Sequence, residues 1–196
     1  FGSDNVISPP ELEKMIYALS SKSLAGVSAQ TRVQGTDYLA QSINNWWRTR
    51  FKIGRAVVIG TPSLFRGQLL RENGFATSRR FSDDSELCER LSQQFGSQFA
   101  ISEAVVYEVG KHEWREITQR CQIYGYSDFE NFSAGSQLGW SLTRKIKSVI
   151  HPLKVDFIQP LNKLTFIEGV KTAPFLASFT AMRYAGWFRA SWTHKT

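Results

Sequence analysis

The sequence predicts an α+β protein, with helices mainly in the N-terminal half packed on an antiparallel sheet built from a 99–124 hairpin and strands of the last third. Three observations carry that expectation. Apolar residues recur at helical spacing in Leu12, Met15, Ile16 and Leu19, and again in Leu87, Leu91 and Phe95. From Phe99 the period shortens to two, with Ile101, Val105, Tyr107 and Val109 alternating against Ser102, Ala104, Val106 and Glu108. Finally, 196 residues are enough for one well-buried core and few for two, which predicts a single domain over 1–196.

The elements follow in order. Ser8-Pro-Pro-Glu11 has the form of a capping box and opens a helix over 9–20. The polar run 20–34 reads as a loop. Asp37 caps a second helix that buries Leu39, Ile43 and one of Trp46 and Trp47, two rings about 100° apart on a helix, and that stops near Gly54. Ala56-Val-Val-Ile59 is a short β-branched strand, and Pro62 sits as the first residue of a helix to Glu72. Asp83-Asp-Ser-Glu86 opens a helix through Phe95 with acids at its positive end. After the strand at 99–109, a turn at Gly110-Lys-His112 leads into a second alternating strand over 114–123, and 124–136 reads as a loop rich in Ser, Asp, Asn and Gly. Short strands are expected over 140–150, 154–158 and 164–167. For 175–192 helical and alternating templates fit about equally, and strand is favoured slightly.

Charge is unevenly distributed. Residues 1–136 carry 15 basic and 15 acidic side chains, whereas 137–196 carry nine basic residues against Asp156 and Glu168 alone, so the whole net charge of +7 lies there. Such asymmetry points to an anionic partner: nucleic acid most often, otherwise a membrane surface or an acidic protein. No apolar run approaches the roughly 20 residues needed to span a bilayer. The start, Phe1-Gly-Ser-Asp-Asn5, has none of the features of a secretory leader, and a cytoplasmic location is expected.

The catalytic motifs are weak. Val57-Val-Ile-Gly-Thr-Pro-Ser63 puts a turn before a helix N-terminus but lacks a phosphate-loop signature, so ordinary capping explains it. Arg50-Phe-Lys-Ile-Gly54-Arg-Ala56 misses by one residue the spacing of the pyrophosphate loop of acetyl-CoA-dependent acetyltransferases, and a loop of consecutive amides does not tolerate that shift. His112-Glu-Trp-Arg-Glu116 has one histidine where a zinc helix needs two, and its position at a turn argues against ligation. His112, His151 and His194 are far apart, and Cys88 and Cys121 read as buried thiols. No metal, no cofactor and no catalytic residue is assigned.

The constellation that remains is the basic last third with aromatics threaded through it. Its cations are Arg144, Lys145, Lys147, Lys154, Lys163, Lys171, Arg183 and Arg189; its tryptophans are Trp140, Trp187 and Trp192. Cations neutralise phosphates and open aromatic faces stack on unpaired bases, so the expected function is binding of RNA or single-stranded DNA. The competing explanation is a sheet with aromatics in the core and cations in water. Two alternatives stand beside it. One is a small-molecule enzyme, a lyase or acyl transferase, with an aromatic pocket and an arginine gripping an anionic substrate. The other is a non-catalytic subunit whose basic third docks an acidic protein.

Overall fold

The structure is a computed structural model, and it describes residues 5–21, 24–60, 62–75, 83–109 and 113–193. In chain order its elements are β1 (Asn5–Val6), α1 (Pro9–Ser21), β2 (Gly26–Val33), α2 (Tyr38–Arg50), β3 (Gly54–Ala56), β4 (Ser63–Phe65), α3 (Gly67–Asn73), α4 (Asp83–Phe95), β5 (Phe99–Glu108), α5 (Trp114–Gln137), α6 (Leu142–Pro152), a π-helical turn (Leu153–Ile158), α7 (Gln159–Lys163) and α8 (Phe166–Thr193). They form two compact units, one of residues 1–34 and 51–110 and the other of 35–50 and 111–196. The α+β class is met, with all described strands in the first unit.

The first unit is built on a mixed sheet in the order β1-β5-β2-β4, with β3 also on β5. Its centre is the parallel pair β2–β5, from Gly26 opposite Phe99 to Val33 opposite Glu108, broken by a bulge between Ser28 and Gln30. β1 pairs antiparallel with Tyr107 and Glu108, and β3 with Phe99 to Ile101. Met15 of α1 packs with Val27, Ala29, Ala104 and Val106. Leu87, Cys88 and Leu91 of α4 pack with Ala25, Ile59 and Phe99. Burial of these apolar side chains, each worth about 1.5–3 kcal/mol when complete, holds the helices to the sheet.

Helices α1, α2 and α4 lie where helical spacing places them, and Asp37 caps α2 by accepting from the Leu39 and Ala40 amides at 2.9 and 3.0 Å. Glu11 does not turn back on the helix as a capping box requires; its carboxylate takes Lys14 and the Val105 amide. Within the loop expected over 20–34, Gly26–Val33 is instead strand β2, whose Ser28 and Thr31 are buried although polar. The strand expected at 56–59 lies at Gly54–Ala56 instead, and the helix expected from Pro62 is preceded by β4 and starts at Gly67. Thr61 and the expected turn at 110–112, His112 included, lie outside the described residues.

The second unit overturns the expected arrangement of the last third. No hairpin partner follows β5 among the described residues: 114–137, expected as a strand and then a loop, are the single helix α5. The strands expected over 140–150, 154–158 and 175–192 are α6, the π-turn and α8, and 164–167 lead into the start of α8. Thr165 and Glu168 cap that helix reciprocally, the Thr165 amide donating to Glu168 Oε2 at 3.1 Å and the Glu168 amide to Thr165 Oγ1 at 3.4 Å.

α5 and α8 pack closely along their lengths. Trp114 meets Phe175, Thr118 meets Met182, and Phe129 meets Trp187, so the pairs advance together and the two helices run parallel. Gly125 and Gly186 permit the approach: a Cβ on Gly125 would overlap the Arg183 carbonyl, and one on Gly186 would lie 2.5 Å from the Gln122 carbonyl oxygen. Trp46 of α2 packs against Phe179 at 4.5 Å between ring centroids. Both Trp46 and Trp47 are buried, where a core role is expected for one of them.

Candidate functional site

Arg183 sits at the centre of the second unit, 8% exposed. Its Nε and Nη2 donate to the two oxygens of Asp128 on α5 at 2.6 and 2.8 Å, and its Nη1 donates to Asp156 in the π-turn at 2.5 Å. Asp156 is fully buried and accepts a second arginine, Arg50 of α2, at 3.0 Å. Four helical segments are therefore tied through one Arg-Asp network. A buried carboxylate is tolerable only when so engaged. The extra residue of a π-turn redirects side chains relative to an ordinary helix, and Asp156 lies within this one.

Cys121 packs beside the network, and burial reinforced by the Asp156 charge pushes its thiol up to about 12. That thiol is an inert core group. Cys88 is buried too, so both cysteines are interior thiols as expected. Among the described residues no cluster of three His, Cys, Asp or Glu side chains has the arrangement of a metal site.

Outward from Asp128, a cleft of about 340 Å³ opens between α5 and α6, lined by Asp128, Asn131, Trp140, Arg144, Lys147, Ser148 and His151. Local sequence explains how it forms. Gly139, with φ of 77°, ends α5 in a left-handed turn and brings Trp140 back so that its amide donates to the Gly135 carbonyl at 3.0 Å. The indole lies on Gly135, where any Cβ would collide with the ring. Ser141 then caps α6, its Oγ accepting from the Arg144 amide at 3.4 Å. On α6, Arg144, Lys147, Ser148 and His151 follow at i, i+3, i+4 and i+7 and share one face. The Arg144 guanidinium stands 4.3 Å from the centroid of the Trp140 ring, a cation–π contact that pre-orients it.

The charge of the cleft is positive despite Asp128, whose carboxylate is taken by Arg183. Desolvation and the Arg183 charge hold the His151 imidazole below its ordinary pKa, so it is neutral at physiological pH and serves as a hydrogen-bonding group. Among the described residues Arg144 and Lys147 have no carboxylate partner. The site thus offers a fixed guanidinium, an ammonium, a hydroxyl, an amide and an imidazole, a set suited to a phosphate oxyanion.

The expected site residues are only partly brought together. Trp140, Arg144 and Lys147 meet in the cleft. Lys145 and Lys154 lie nearby in sequence, on α6 and the π-turn, but do not line it. Lys163 donates to the Thr49 carbonyl at 2.6 Å, and Lys171 borders a separate cleft beside Glu168 and Asn45. Arg183 is buried, and its guanidinium is taken by its two aspartates. Trp187 packs edge-on against Phe129, Phe132 and Phe188, and both faces of Trp140 are occupied, by Gly135 and Arg144. Arg189 reaches Gln122 at 3.5 Å, and Trp192 is 77% exposed near the end of α8.

Sequence reasoning alone does not find Asp128, Asn131, Ser148 and His151. Their signal is helical spacing, Asp128 to Asn131 at i+3 and Arg144 to His151 at i+7, and it is hidden because both segments read as non-helical. No protein family and no curated protein matches the chain.

Proposed function

We propose that the second unit binds the phosphate backbone of nucleic acid, RNA or single-stranded DNA, at the α5–α6 cleft. The observation that supports this reading is the convergence of Arg144, Lys147, Ser148 and His151 with Asn131 around a guanidinium already oriented by Trp140. Arg144 gives up little ordering entropy on meeting a phosphate because its position is set beforehand. Covered on both faces, Trp140 offers no platform for a base; the proposed binding is carried by phosphates and tolerant of sequence.

Titrating a labelled single-stranded RNA across a salt series tests this. Affinity is expected to fall steeply with salt. Arg144→Ala combined with Lys147→Ala is expected to weaken binding at least tenfold and to flatten the log–log slope by about 0.7 for each phosphate that is no longer neutralised. Affinity that is insensitive to salt and to both substitutions contradicts the proposal.

A further inference from the structure

The side of α6 facing away from the cleft is apolar and uncovered. Leu142 is 73% exposed, Ile146 50%, Ile150 46%, and Leu153 in the π-turn 38%. Their spacing of four, four and three places them in one stripe along the helix. At 100° per residue Lys145 falls on one border of that stripe, and Lys147 and Lys154 on the other, each about a quarter-turn from its midline. Arg144 and His151 lie on the opposite side.

An exposed aliphatic stripe edged on both borders by lysine fits a surface that is apolar below and anionic above. Lysine stems lie along apolar material while their ammonium groups reach up to phosphate level. Nucleic acid offers nothing for four aliphatic side chains to enter. A second copy of the chain seated on the same stripe would bring its own Lys145, Lys147 and Lys154 against these three, a like-charge juxtaposition that disfavours association. Among the described residues none of the three lysines has a carboxylate partner to offset that repulsion. No described helix is long and apolar enough to cross a bilayer, so the contact is peripheral.

We propose that α6 lies in the headgroup layer of an anionic lipid membrane, with Leu142, Ile146, Ile150 and Leu153 at the acyl boundary and Lys145, Lys147 and Lys154 among the lipid phosphates. This goes beyond the cleft reading and uses the apolar side of the helix, with Lys147 on the border common to both surfaces.

The test is co-sedimentation of the full chain with phosphatidylcholine vesicles and with vesicles in which about a third of the lipid is phosphatidylserine. The wild type is expected to bind the anionic vesicles at least tenfold more tightly. Ile146→Asp with Ile150→Asp, both at exposed positions, is expected to abolish sedimentation while leaving oligonucleotide affinity within about twofold. Replacing Lys145, Lys147 and Lys154 by Gln keeps the stripe and is expected to lower vesicle affinity by roughly fivefold per lysine. The Arg144→Ala variant is expected to bind vesicles as the wild type does, which separates this surface from the cleft. Wild-type chain that stays in the supernatant with anionic vesicles overturns the proposal. So does sedimentation unchanged by the two aspartates, or a concentration-dependent dimer in the wild type that those aspartates abolish.

Discussion

At the scale of single residues, the second unit is organised by Asp156. It is fully buried and receives Arg183 on one oxygen and Arg50 on the other. Removing one member of a buried ionic network leaves the others desolvated and uncompensated, which costs about 3–5 kcal/mol. Asp156→Ala is therefore expected to lower unfolding free energy by that amount in urea denaturation, and a decrease under about 1 kcal/mol contradicts the assigned role. This network is not legible in the sequence. Asp156 is one of two acids in a basic segment, and Arg183 fits the description of a surface cation equally well. Sequence does not reveal which cation will meet which carboxylate across 27 and 55 positions.

At the scale of elements, legibility follows the chemistry of each buried face. Helices α1, α2 and α4 show leucine, isoleucine, methionine or tryptophan at helical spacing, and they lie where that spacing puts them. The buried line of α5 runs Ile117, Cys121, Gly125, Phe129, and that of α8 includes Gly169, Thr172, Thr180, Arg183 and Gly186. Glycine, threonine and arginine interrupt the hydrophobic stripe that Ile117, Cys121 and Phe129 make on α5 and Phe175, Leu176 and Phe179 make on α8, so both segments look like loop or alternating strand. Strand β2 is hidden for the same reason, because its interior positions include Ser28 and Thr31. The close approach of α5 and α8 supplies a test with opposing signs. Alanine is the better helix former by about 1 kcal/mol, so propensity alone favours Gly186→Ala. Packing opposes it, since the new Cβ would meet Gln122 backbone atoms at 2.5 and 2.7 Å. A net destabilisation of about 1–3 kcal/mol is expected, read as a drop in thermal midpoint. A rise in the midpoint contradicts the close packing.

At the scale of the whole molecule, charge divides with the fold. The first unit carries ten basic and ten acidic residues and the second fourteen against seven, so the net +7 belongs to the helical unit. The charge boundary in the sequence at 136/137 coincides with the end of α5, where the chain turns into the cationic α6. The asymmetry is legible from composition, whereas the placing of Arg144, Lys145 and Lys147 on one helix, with a cleft on one side and an aliphatic stripe on the other, requires knowing that 142–152 is helical. The most direct test of the central claim is ultraviolet crosslinking of a bound single-stranded RNA to the intact chain, followed by mapping of the adducts by mass spectrometry. The account predicts that adducts concentrate on peptides spanning 128–154, which form the two walls of the cleft. Adducts confined to the first unit, or spread evenly over both, would contradict it.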